Sequence, residues 1–115
     1  MKGISVLAVA LVLAGCGSPE EKETARCNDS TTAFVMSQNF VKQRLKSPST
    51  ATFPYINDAG VKVFQDEPLT ECKHVISAFV DAQNGFGGTV RNRYTVTMQK
   101  VPGKNAWRAV NLAIF

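Results

Sequence analysis

The spacing of apolar and polar positions changes several times along the chain, and each change marks an element. Near the start, Ile4-Ser5-Val6-Leu7-Ala8-Val9-Ala10-Leu11-Val12-Leu13 is apolar except for one serine. A membrane-spanning helix needs about 20 apolar residues, and polar Gly17-Ser18-Pro19-Glu20-Glu21-Lys22-Glu23 begins before that length is reached. With Lys2 ahead of it, the run reads as the charged n-region and h-region of a secretory leader. Residues 17–28 hold Pro19 and mixed charges with nothing to bury, and read as a tether.

From about Thr31 to Lys46 the spacing becomes helical. On a 100° wheel Ala33, Phe34, Met36, Ser37, Phe40, Val41 and Leu45 fall within one half, and Val35, Gln38, Asn39, Lys42 and Gln43 occupy the other. Such a stripe predicts an amphipathic helix with a wide buried face. Asp29 or Ser30 supplies the cap, because a short side-chain oxygen satisfies the free N–H groups of a first turn. Ser47-Pro48 ends the helix, since the residue before proline is pushed out of the α region. The chain then crosses to the next element with Phe53 as an expected core anchor.

The remainder is β-like. Val61-Lys62-Val63-Phe64 predicts a short strand after the turn Asn57-Asp58-Ala59-Gly60. His74 to Asp81 places Val75 and Phe79 on one side and Ile76, Ala78 and Val80 on the other, which predicts a strand covered on both faces. Gln83-Asn84-Gly85-Phe86-Gly87-Gly88 reads as a turn needing positive φ or a bulge, with Phe86 packing back over the sheet end. In Val90 to Val101, Val90, Tyr94, Val96 and Met98 face one way, and Arg91, Arg93, Thr95, Thr97 and Gln99 the other. Pro102-Gly103-Lys104-Asn105 predicts a hairpin turn, and Trp107 to Phe115 a last strand. The expected fold class is α+β: one N-terminal amphipathic helix packed on an antiparallel sheet of three or four strands, after a cleaved leader and a polar tether. The expected organisation is a signal peptide at 1–15, a lipidated cysteine and flexible tether at 16–28, and a single domain at 29–115.

Leu13-Ala14-Gly15-Cys16 resembles the lipobox of bacterial lipoproteins, with small residues before the cut and a cysteine after it. The resemblance implies a diacylglyceryl group on the Cys16 thiol, cleavage before Cys16 and N-acylation there. A single acyl chain holds a protein to a membrane only marginally, whereas two or three anchor it stably. Gly17 stands where an aspartate would retain such a protein at the inner membrane of a Gram-negative cell, so the resemblance implies a periplasm-facing outer-membrane location, or the cell membrane in a Gram-positive host. A second resemblance rests on Phe40 to Pro54 together with Val80 to Gly87 and Arg91: these segments are similar to a small domain of bacterial and phage proteins that carries no assigned activity. The element order also resembles the helix-plus-sheet shape of cystatin-like folds, without an inhibitor motif.

The formal net charge of +4 falls to +3 when Lys2 leaves with the leader, too mild to imply nucleic acid. With Cys16 assigned to lipid, Cys27 and Cys72 remain as a pair, and in an oxidising compartment a disulfide is the expected outcome. Two cysteines and His74 do not close a structural zinc site. His74 is the single histidine and reads as a strand residue, the acids show no paired spacing, and no serine sits in a nucleophile elbow. No catalytic residue, metal or cofactor is expected.

Charge placement adds more. No acidic residue follows Asp81, whereas Arg91, Arg93, Lys100, Lys104 and Arg108 all lie beyond it. Asp81 and Arg91 flank the glycine-rich connection and form either a structural ion pair or part of a site. The strand face carrying Arg91 and Arg93 is either a solvated outer face or a docking surface for an acidic partner, an anionic lipid headgroup or a glycan, with Phe86 and Trp107 as further candidates. The expected function is a lipid-anchored, non-catalytic envelope binding or accessory module that meets the membrane through its anchor and an envelope protein or polymer through its sheet. The alternative is a phage- or plasmid-encoded exclusion lipoprotein that blocks a receptor or an injection apparatus.

Overall fold

The computed structural model describes residues 26–115; the expected leader, Cys16 and the expected tether up to residue 25 lie outside the described residues. Helix α1 (Ser30–Lys42) starts where a cap is available: Asp29 Oδ1 accepts from Thr32 N at 3.0 Å and Oδ2 from Thr32 Oγ1 at 2.6 Å. The hydroxyl of Thr32, then its N–H, hold the Asp29 carboxyl below its ordinary range. The helix ends at Lys42, four residues short of the Lys46 that the spacing predicts. Arg44 N and Leu45 N bond to carbonyls three residues back, at Val41 and Lys42, so the last turn tightens into 3₁₀ geometry ahead of Ser47-Pro48. A short 3₁₀ turn, Pro48–Thr50, follows.

Four strands, β1 (Lys62–Gln65), β2 (Lys73–Gln83), β3 (Thr89–Lys100) and β4 (Trp107–Ile114), pair antiparallel in the order β1-β2-β3-β4. The fold is thus α+β: among the described residues, helix α1 packs on one face of a four-stranded antiparallel sheet. Where β1 stops short, Thr52 takes its place at the edge of β2, exchanging backbone bonds of 2.7 and 3.0 Å with Asp81.

One-sided coverage explains the burial pattern of β2. Ile76, Ala78, Val80 and Ala82 are buried beneath α1, while Val75, Ser77, Phe79 and Asp81 are only half-buried. Its sequence suggests a strand covered on both faces, but among the described residues no second layer lies over Val75 and Phe79. Phe34 and Val41 from the helix meet Ile76, Val80, Tyr94, Val96, Met98 and Trp107 in the core. Phe53 packs edge-on against Tyr94 with ring centroids 6.5 Å apart, the anchoring role its position predicts.

A bulge keeps β4 in register with this core. Thr95 pairs with Ala113 but Thr97 with Val110, so two steps along β3 match three along β4. Asn111 takes the extra step at φ 58°, a left-handed conformation that asparagine tolerates better than most residues. Trp107 and Ala109 before it, and Leu112 and Ile114 after it, all pack on the core. Strict alternation would have turned one of those pairs to solvent.

Candidate binding surface

At one end of the sheet, Cys27 is buried and disulfide-bonded to Cys72, closing a sequence separation of 45 residues. His74, fully buried, stands beside the bond. Its Nε2 lies 2.7 Å from Cys27 O and its Nδ1 2.8 Å from Ser30 Oγ. A carbonyl only accepts, so Nε2 donates to Cys27 O. The ring also meets Trp107 edge-on at 5.5 Å. Both nitrogens hold the helix start against the sheet. Among the described residues, no group of three or more His, Cys, Asp or Glu side chains is placed to hold a metal ion.

The outer face of the sheet is the one α1 leaves open, and register assigns its residues. Across the strands run the rows Phe64–Val75–Thr97–Val110 and Lys62–Ser77–Thr95–Ala113, then Phe79–Arg93–Phe115, then Asp81–Arg91. Lys73, Gln99 and Arg108 form the row at the opposite end. Phe64 is 56% exposed and Phe115 67%, high values for phenylalanines on a strand face.

Arg91 and Arg93 share this face but differ in state. Arg91 Nε and Nη2 reach Asp81 Oδ1 and Oδ2 at 2.7 and 2.8 Å, a bidentate pair, and its guanidinium lies 3.9 Å above the Phe79 ring. Hydrogen bonding to the guanidinium holds the Asp81 carboxyl below its usual range and pushes Arg91 above its own. The flanking pair is therefore formed, and the Arg91 charge is matched within the chain. Arg93 has no carboxylate partner among the described residues; Nη2 donates to Gly60 O at 3.3 Å. Arg108 is likewise held by the neutral Gln99 side chain, at 2.7 and 3.1 Å. Lys73 is paired with Glu71 at 3.0 Å.

Two expected members stand elsewhere. Trp107 is turned to the helix side and 8% exposed, packed on His74 and not on the basic face. Phe86 occupies the tip of the β2–β3 hairpin and is 99% exposed, so it does not pack back over the sheet end. Asn84 accounts for that: its Oδ1 accepts from Phe86 N and Gly88 N, and Gly87 at φ 85° turns the chain away from the sheet. Lys100 also departs from the basic cluster, being 1% exposed on the inner face with Nζ 2.7 Å from Lys104 O. Phe64 and Phe115 escape a sequence reading because they lie on the two edge strands, and only the register of the sheet puts them on one face.

Two depressions lie on the helix side. One, about 290 Å³, opens between the end of α1 and the β2–β3 hairpin, with Arg44 and Lys46 on one wall and Asn84 and Val90 on the other. The second, about 560 Å³, lies between the start of α1 and the loop of Phe53, Tyr55 and Ile56. Comparison with protein-family models, with curated proteins and with solved structures found no match to the chain.

Proposed function

We propose that this chain is a lipid-anchored, non-catalytic module of the cell envelope that binds an acidic partner through the outer face of its sheet. The observation that carries the reading is the row Phe79–Arg93–Phe115, in which an arginine lacking a carboxylate partner stands between two aromatic rings. Aromatic residues and arginine are the groups enriched at protein interfaces and at their energetic centres. On the same face Lys62 adds positive charge in the adjacent row and Arg108 in the row at the far end, while Asp81 and Glu71 are already matched by Arg91 and Lys73. The face thus offers net cationic groups over a half-apolar floor of Val75, Phe79 and Val110.

Anchoring rests on the lipobox resemblance at Leu13-Ala14-Gly15-Cys16, and the Cys27–Cys72 disulfide suits the oxidising compartment that export implies. With Gly17 after the cysteine, the reading places the module at the outer membrane, facing the periplasm.

Arg93→Glu combined with Arg108→Glu tests it. Both side chains are exposed, so the double reversal should leave the fold within about 0.5 kcal/mol per site. Crosslinked partner recovered from envelopes with wild type should be lost with the double reversal, and should decline with salt, since exposed charges are screened over about 10 Å at 0.1 M. Equal recovery from both proteins at low and high salt would leave the face as a solvated sheet surface.

A further inference from the structure

The β2–β3 hairpin projects a phenylalanine from a turn that is internally fixed. Asn84 N donates to Gly88 O at 2.8 Å, Gly87 N to Asn84 O at 3.1 Å, and Asn84 Oδ1 receives Phe86 N and Gly88 N at 2.9 and 3.1 Å. Phe86 is therefore held outward by a bonded turn with its ring in water on all sides. The 290 Å³ cleft between the end of α1 and the base of this hairpin carries Arg44 and Lys46, and no carboxylate lines it. Val90, also exposed, lines the same cleft.

The placement of acids sharpens the picture. Asp29, Asp66, Glu67 and Glu71 gather at the opposite end, around the disulfide and the start of β2. Asp58 is engaged in the turn before β1, through Tyr55 N at 2.9 Å, and Asp81 is held by Arg91. The hairpin end thus pairs an exposed ring with two cations that have no carboxylate partner among the described residues.

We infer that this end docks on an anionic bilayer surface, with the Phe86 ring entering the interfacial layer and Arg44 and Lys46 meeting lipid phosphates. Aromatic rings settle at the headgroup level of membranes, and cations near an anionic leaflet are drawn to it. A protein pocket suits the tip less well. Stable protein interfaces take about 800 Å² per partner around a cluster of anchors, and this tip presents one ring on a glycine turn. The inference concerns a different surface from the sheet face and depends neither on that reading nor on lipidation of Cys16.

The test reads the tip itself in the full chain, so that any other hold on the membrane does not count. Phe86→Trp places a reporter at the tip, and the unsubstituted chain, whose Trp107 is buried, supplies the background. On brominated vesicles of phosphatidylglycerol with phosphatidylcholine, the reporter should shift to the blue and be quenched at least twofold more than on phosphatidylcholine alone. High salt should reverse the difference. Arg44→Glu with Lys46→Glu should abolish it, and Lys46→Glu alone, which spares the 3.0 Å bond from Arg44 to Leu112 O, should weaken it. A tip that stays in water on anionic vesicles overturns the inference, as does equal quenching on both lipids. A tip buried only by lipid-stripped envelope protein overturns it in favour of a protein pocket.

Discussion

His74 Nε2 lies 2.7 Å from the carbonyl oxygen of Cys27, whose sulfur is bonded to Cys72 two positions before the histidine. The same ring takes Ser30 Oγ at 2.8 Å, in the first turn of α1. The covalent bond ties the residues before the helix to the start of β2, and the imidazole adds the helix start to that clamp. Cys72 itself adopts φ 55°, left-handed for a residue without the freedom of glycine, so the bridge sits on a conformation that the surroundings must hold.

That clamp yields the first prediction. Closing a loop of this length stabilises a fold by about 4 kcal/mol in the chain-entropy model, with measured values commonly about 2–4 kcal/mol. At roughly 4–8 °C per kcal/mol for a domain of this size, Cys72→Ala should lower the melting temperature by on the order of 10–25 °C. Peptide mapping of exported wild type should find Cys27 and Cys72 closed to maleimide until reductant is added. Two reactive thiols before reduction, or an unchanged melting temperature, would show that the bridge is not a support of the fold.

The second prediction concerns a polar atom left over in the core. Tyr94 is fully buried, and its hydroxyl has no hydrogen-bond partner among the described residues; the Ser37 hydroxyl donates to Phe34 O at 2.6 Å. A buried polar group without a partner costs about 1–3 kcal/mol. Tyr94→Phe should therefore leave the melting temperature unchanged or raise it by up to the equivalent of about 1 kcal/mol. Burial pushes the Tyr94 phenol above its ordinary value of 10.0. The folded state then keeps its proton while the unfolded chain releases one, so this contribution is complete below about pH 10 and declines as pH rises beyond it. Tyr94→Phe should flatten that alkaline decline, and urea titrations of both proteins at neutral and alkaline pH measure it. A clear loss of stability at neutral pH would mean that the phenol has a bound partner after all.

These particulars also show what local pattern carries and what it does not. Asp29 as cap, the inward set Tyr94, Val96 and Met98, and the Asp81–Arg91 pair were legible because each depends on spacing within one segment or across one hairpin. Lys100 was grouped with the basic cluster on account of its charge, although the alternation that faces Met98 inward also faces Lys100 inward. The bulge at Asn111 was not, since an extra residue in β4 exists only relative to β3. The same holds for the outer face, where Phe64, Arg93 and Phe115 come from three strands. Trp107 was misplaced because a strand's first residue has no alternation before it to fix its side. Phe86 was misplaced because direction at a hairpin tip is set by the turn's own hydrogen bonds.

The third prediction tests the anchor. If the lipobox resemblance holds, Cys16 accepts diacylglycerol and becomes the first residue after cleavage, and both events require its thiol. Serine at that position is close in size and keeps a hydrogen-bonding group, but it cannot form the thioether. Cys16→Ser should therefore abolish labelling by radioactive palmitate and leave an unprocessed precursor that retains Lys2 and the apolar run Ile4 to Leu13. Membrane association of that precursor would not rescue the reading, because the uncleaved apolar run can itself hold a chain to a bilayer; size and label decide. Wild type should carry label and migrate at the size of the cleaved chain. Mature-sized protein from Cys16→Ser would mean an ordinary leader with a coincidental cysteine. The sheet-face reading would then lose its anchor, and Phe86, Arg44 and Lys46 would remain as the membrane contact still to be tested.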